Sequence, residues 1–533
     1  MKKIVMSTLL STIVLSLVLL PLPTADAKSA KTKELKIKGY ITQVNSPTSF
    51  EIDEYKISMD GKHDVELQNI EDEAIKFDPR VHLRVGTLVK MKCEVNTETL
   101  EARVKEIKID VKQFRRLSHT TVLDTYPSDL EMDSEGKWSG EVLADARRIK
   151  ITPETDVRFK LNKSEEREEK ERKEEEEEAK EIAEEQEKIR EQREKKEDAL
   201  ENQVDDDEDI AETSVEVLQV GASRLTSLSD IGPGVYMTYK GKEDLIGNVV
   251  ASDVVFVKNE KTKKEQDLWK KLRIKEKESK KANSFDTLKV GGEKFKVLPD
   301  EEIQEYVNDL GRSLVPEYQR ELPDDDENKI PFRFVVIHEK YINAGAFPTG
   351  TVVINHDVFN FFENEAQLAF LLSHEIAHAT QEHQIRQLNH KKKTRTWLKI
   401  GAIASYAMGY GLLARTFAMT EAAMRNGYAR SIENQSDRIG MANMIQSGYD
   451  PREAPRVWKI SSWYFGDKGT NFFWSSHSSN TERRSYMMVT LRNSYPGLDY
   501  SSLKKDSIEY QRIAALVKEK YPTKLKTKKG RLP

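Results

Sequence analysis

A single cysteine among 533 residues, Cys93, leaves no partner for an intramolecular disulfide, and none stands near the N-terminus to accept a lipid. Excess charge of one sign is equally scarce. The 86 Lys and Arg nearly balance 91 Asp and Glu, a net of -5, so nothing global points to nucleic acid. Long apolar runs are few. Ile4 to Leu22 follows Lys2 and Lys3 and precedes Ala25-Asp26-Ala27, the layout of a signal peptide cleaved after Ala27. Pro21 and Pro23 favour cleavage over the alternative, retention as a membrane anchor. Ile400 to Ala414 is also uncharged, but at about fifteen residues it falls short of the roughly twenty needed to span. It reads as a buried helix, with shallow membrane contact as the alternative, so no transmembrane span is expected after signal cleavage. An exported chain without disulfides suggests a bacterial envelope, periplasmic or extracellular.

What is present changes character along the chain. Ile37 to Val44, Phe50 to Ile57, Leu88 to Val95 and Ala102 to Ile109 alternate and read as strands of a β module over residues 35–112. A related arrangement recurs over 135–258, where the run beginning at Gly234 matches the one beginning at Gly86. Residues 162–212 interrupt this second module. They are dense in Glu, Lys and Arg with almost no apolar residue, so they bury no core and read as a solvated helix or a linker. A charged linker over 259–294 leads to compact sequence over 295–500, and 501–533 reads as a basic tail. Asp300 to Leu314 is amphipathic, and a long helix is expected from Asn364, an N-cap with Gln367 at its third position.

That long helix carries His374-Glu375-Ile376-Ala377-His378. Histidines four apart share one helical face, so both imidazoles reach one zinc at about 2.0–2.1 Å, with Glu375 placed to take a proton from the attacking water. This pattern arises by chance in roughly one chain of this size in a hundred. A surface histidine pair is the plain alternative, opposed by Leu368, Leu371, Leu372 and Ile376 around it. A catalytic site adds a third protein ligand. Glu382 and His383 lie too far along the helix and suit packing or support. Glu433 and Asp437 share a helical face, so Glu433 can ligate while Asp437 holds a histidine ring, although acids four apart are usually surface residues.

Asn343-Ala344, Phe347-Pro348-Thr349-Gly350, the histidine motif, Glu433 to Gly440, and Ser476-His477 with Arg483 follow in that order. In this order the stretch from about Asp300 to Arg484 resembles the catalytic domain of metallopeptidase family forty-eight, the HtpX- and BepA-like gluzincins. The resemblance implies one Zn2+ per catalytic domain on His374, His378 and Glu433, Glu375 as general base, and Asp437 and Arg483 supporting the ligands. His477 resembles a family histidine that approaches the active site, steadying an oxyanion or gating the metal. Ser436 and Ser478 replace the usual Ala and Pro. Gly350 to Asn355 resembles the family's active-site edge strand, where an extended peptide pairs by β-augmentation, with an ordinary core strand as the alternative its apolar residues allow equally.

The expected architecture is α+β and multidomain: small N-terminal β-barrel-like modules with a charged helical insertion, then a mainly α-helical gluzincin metallopeptidase domain with a small sheet. The expected function is zinc-dependent cleavage of internal bonds in protein or peptide substrates in the cell envelope, with envelope protein partners on the β modules. Two alternatives remain open, a latent metallopeptidase acting as a binding or chaperone-like protein and a membrane-anchored scaffold. The tail from Lys524 to Arg531 offers acidic lipid a contact, or is simply solvated.

Overall fold

In a computed structural model of the chain, the alternating N-terminal sequence forms two sheets built to one plan. The structure describes residues 32–70, 75–112, 114–160, 223–224, 231–245, 247–257, 287–290, 293–326, 328–339, 344–383, 430–465 and 480–523. The expected signal peptide, the charged insertion, the connector from Lys261 to Lys281, the run from Ile400 to Ala414, His477 and the tail after Thr523 lie outside these residues.

The first sheet comprises β1 (Thr32–Tyr40), β2 (Gln43–Ser46), β3 (Ser49–Ile52), β4 (Tyr55–Ser58), β5 (Asp64–Gln68), β6 (Leu88–Asn96) and β7 (Glu101–Asp110). Their order is β1-β6-β7-β4-β3-β2, with β5 also on β7. Alternation places Val89, Met91, Cys93 and Val95 of β6 inside and turns Lys90 and Glu94 outward. The second sheet comprises β8 (Phe114–Val122), β9 (Glu131–Met132), β10 (Trp138–Ala144), β11 (Arg147–Ile151), β12 (Asp156–Lys160), β13 (Ser223–Arg224), β14 (Tyr236–Asp244) and β15 (Val249–Val257). It repeats the first: β8 pairs β14 and β14 pairs β15 antiparallel, as β1-β6-β7 do, while β11 and β12 lie parallel to β15 as β4 and β5 lie to β7. The register slips at equivalent places, Lys92/Cys93 and Lys240/Gly241. Gly86 and Gly234 both adopt a φ of +88°, a left-handed turn that only glycine enters freely, and their amides donate to Ile41 and Leu123. Among the described residues the pairings leave open sheets where barrel-like closure was expected. The second sheet also begins at Phe114, ahead of the Trp138 run that marked it in sequence.

Both sheets dock on the C-terminal region through the same hairpin corner. Asp53, between β3 and β4, and Asp145, between β10 and β11, are buried with φ of +56° and +57°. Asp53 accepts from Arg484 at 2.6 Å, and Asp145 accepts from Arg438 at 2.6 Å. Asp124 lies beside the second junction, where burial and, behind it, the Asp145 carboxylate push its carboxyl up to about 6. An unfolded Asp ionises near about 3.9, so the native state keeps the proton longer and stability falls as pH rises from about 4 to about 6. Asp124→Asn is therefore expected to add about 1–3 kcal/mol near pH ~7.5 and almost nothing near pH ~4. Urea unfolding at the two pH values reads this, and an equal effect at both would refute it.

The C-terminal region follows a hairpin of β16 (Thr287–Val290) and β17 (Glu293–Lys296), which lies where only a charged linker was expected. Its own small sheet is β18 (Arg333–Ile337), β19 (Ala344–Ala346) and β20 (Thr351–Asn355), ordered β18-β20-β19. β20 is thus the central strand, which overturns the edge reading and fits the core-strand alternative; the strand beside the helix that carries the histidine pair is β19. The main helices are α1 (Glu301–Ser313), α2 (Glu365–Thr380), α3 (Arg430–Gln446), α4 (Ala454–Phe465), α5 (Asn480–Ser494) and α6 (Ile508–Lys520). Asn364 caps α2 by accepting from the Gln367 amide at 3.1 Å, an interaction typically contributing about 1 kcal/mol. Every residue of α2 is buried. Leu368, Leu371, Leu372 and Ile376 join the main core, each worth about 1.5–3 kcal/mol on burial. Helix α6 corrects the reading of residue 501 onward as tail, because Tyr510, Ile513 and Val517 share a face and enter this same core.

Candidate metal centre

Helix α2 stacks His374 and His378 one turn apart, and α3 crosses beside it with Glu433 facing them. Gly440 allows that crossing to be close, since a Cβ there would lie 3.1 Å from the His374 amide nitrogen. The two Nε2 atoms are 3.1 Å apart. Glu433 oxygens stand 3.5 Å from His374 Nε2 and 3.7 Å from His378 Nε2. A tetrahedral ion with bonds of about 2.0–2.1 Å separates its donors by about 3.3–3.4 Å, and the three measured separations, those to Glu433 running from its Oε2 and Oε1 respectively, bracket that value. Among the described residues this is the one cluster of metal-ligating side chains whose donor atoms all fall within 4.8 Å of one another.

Asp437, one turn beyond Glu433, places Oδ1 3.1 Å from His374 Nδ1. A carboxylate only accepts, so a hydrogen resides on Nδ1, which leaves Nε2 as the nitrogen that would face an ion. From α5, Arg483 donates through Nε to Asp437 at 2.7 Å and through Nη2 to Asp437 and Glu433 at 2.9 Å each. Its guanidinium lies 3.7 Å from the centre of the Trp458 ring. Burial outweighed by these charges sets the electrostatics. Desolvation opposes a charge on His374, but hydrogen bonds to Asp437 and Glu433 prevail and push its pKa up to about 9. The surroundings favour an added positive charge at this point, which a bound cation supplies as well as a proton. Asp437 is also desolvated, yet Arg483 and His374 hold its carboxyl below the usual range.

Glu375 adjoins the cluster. Burial pushes its carboxyl up to about 7, against the opposing influence of His374 and the Ala346 amide of β19. Its Oε1 is buried and accepts no hydrogen bond among the described residues. The structure therefore brings together His374, Glu375, His378, Glu433, Asp437 and Arg483, while His477 lies outside the described residues. Glu382 turns away to receive the Tyr236 hydroxyl of the second sheet. His383 stands behind His378, with Nδ1 atoms 3.0 Å apart, and Gln435 stands behind His383. Gln435 and Trp458 were missed in sequence. Gln435 is two positions from Glu433, a spacing that carries no facing rule on a helix.

A buried donor set of two histidines and a glutamate, with a free carboxylate oxygen alongside, is of the kind that hydrolytic metalloenzymes use. Residues 301–487 match peptidase family M48, which covers the same C-terminal part of the chain that carries the motifs. The chain is similar to the beta-barrel assembly-enhancing protease of Escherichia coli K12, 32% identical over 166 residues, which are 30% of this chain and 32% of that one. It is also similar to the mitochondrial metalloendopeptidase OMA1 of Arabidopsis thaliana, 28% identical over 154 residues, 29% and 30% of the two chains. The chain thus spans about a third of the length of these curated relatives. Among the described residues no helix is long and apolar enough to cross a membrane.

Proposed function

We propose that this protein is an exported zinc endopeptidase that hydrolyses internal peptide bonds of protein substrates in the bacterial envelope. The observation carrying this reading is the convergence of His374 Nε2, His378 Nε2 and a Glu433 carboxylate at tetrahedral spacing, with Glu375 alongside. The nitrogen, nitrogen and oxygen donor set suits zinc, one ion per catalytic domain, held by those three residues. A zinc ion held by those residues would polarise the scissile carbonyl and lower the pKa of a water. Glu375 takes a proton from the attacking water and passes it to the leaving amine, so no covalent intermediate forms. Asp437 fixes the His374 ring, and Arg483 balances the two carboxylates behind it. His477 is assigned the approach to the reacting carbonyl that the family resemblance implies, steadying its charge or gating the metal.

The extended substrate pairs along β19, the strand adjoining α2. This places the peptide beside Glu375 through Ala346. Residues 1–27 serve as the signal peptide and the C-terminal region through α6 as the catalytic unit, with the two β modules, the second beginning at Phe114, receiving envelope protein partners. Metal removal tests the enzyme. Purified mature protein is expected to contain one zinc and to digest casein, with phenanthroline abolishing digestion and added zinc restoring it. A protein that retains its zinc yet leaves casein and other unfolded substrates intact would favour the latent, binding role.

A further inference from the structure

We infer that the second β module selects the tautomer of His378: a backbone carbonyl of β8, acting through Gln435 and His383, leaves the His378 Nε2 lone pair directed at the ion. The inference rests on the metal reading above and adds to it two positioning residues and a remote anchor. Gln435 Nε2 donates to the carbonyl oxygen of Thr120 in β8 at 3.2 Å. A carbonyl has no hydrogen to give, so the amide must present its NH2 to the strand and its oxygen inward. That oxygen, Gln435 Oε1, stands 2.9 Å from His383 Nε2, which must then carry its hydrogen. Neutral His383 is left with a bare Nδ1, and this atom lies 3.0 Å from His378 Nδ1. Two lone pairs would repel at that distance, so His378 Nδ1 donates and His378 Nε2 is the unprotonated nitrogen, which in the metal-free chain accepts from His374 Nε2 at 3.1 Å.

The Ser436 hydroxyl, 3.3 Å from His383 Nδ1, is a longer second donor to that same nitrogen and leaves the assignment unchanged. The Nδ1 hydrogen of His374 is fixed by a shorter route, through Asp437. The anchor is itself clamped. Gln381, capping the end of α2, accepts from the Val122 amide at 2.8 Å and the Thr121 hydroxyl at 2.9 Å and donates to the Val122 carbonyl at 3.1 Å. One glutamine side chain thus pairs with β8 as a neighbouring strand would, holding Thr120 at a set height above Gln435. Partners of this kind, which orient a metal-bound histidine, typically change metal affinity about 10- to 100-fold when removed.

The test uses the full-length chain with Gln435→Met, which keeps volume and loses both hydrogen bonds, and Gln435→Glu, which keeps an acceptor for His383. Zinc affinity by chelator competition is expected to fall about 10- to 100-fold for Met and to stay close to wild type for Glu. Imidazole nitrogen NMR shifts of the metal-free protein should show His378 protonated at Nδ1 in wild type and Glu, and a mixture of tautomers in Met. Unchanged affinity and tautomer in Met, or equal losses in Met and Glu, would overturn the inference. A wild-type chain that takes up no zinc would overturn the metal reading instead, and the NMR shifts would still decide the tautomer.

Discussion

Glu375→Gln is expected to lower peptide hydrolysis by about 100- to 10,000-fold while zinc content stays at the wild-type level. The substitution preserves shape at a position with almost no exposed surface, so the packing of α2 against β19 survives. It replaces an acceptor that burial has raised to about 7 with an amide that takes no proton. Because the three proposed ligands are other residues, the substitution removes no group proposed to hold the metal. The measurement pairs zinc analysis with initial rates of peptide cleavage on the same preparation. Loss of zinc together with cleavage would mark Glu375 as structural, and cleavage near the wild-type rate would remove it from the mechanism.

How much of this was legible depends on whether a signal was local. The histidine pair is a four-residue spacing on one strongly apolar helix, and its N-cap at Asn364 is equally local, so both were read directly. Glu433 lies some fifty residues away, across a segment without a decisive pattern, and only resemblance singled it out from ordinary surface acids. The repeat of the β modules was visible in the Gly86 and Gly234 runs because a left-handed turn restricts the residue allowed there. Open sheets rather than barrel-like closure were not visible, since closure depends on tilt and on which strands meet, not on alternation. Strand β8 was overlooked because Arg115, Arg116, Ser118 and His119 dilute its apolar pattern, although it supplies the backbone carbonyl behind His378. Helix α6 reads as tail in the sequence because its lysines and arginine outweigh the Tyr510, Ile513 and Val517 stripe it carries.

Arg483→Met should cost about 3–5 kcal/mol of stability in the metal-free protein, because it strands two buried carboxylates. The guanidinium reaches Asp437 through two nitrogens and Glu433 through one, and it lies over the Trp458 ring, 3.7 Å from its centre. A methionine fills most of the volume and none of the charge, leaving Glu433 and Asp437 with the two histidines and no fixed cation. Arg483→Lys should recover only a small part, since an ammonium cannot span both carboxylates or stack on the indole as the planar fork does. Urea unfolding in the presence of a chelator measures each loss. If the cost arises from stranded charge, Asp437→Asn combined with Arg483→Met will be less damaging than the sum of the two single changes by about 0.5–3 kcal/mol. Strict additivity would instead assign the loss to the packing of a long side chain on Trp458. The cycle thus separates a charge-balanced metal cradle from a merely well-filled core at the one residue that joins α5 to both carboxylates of α3.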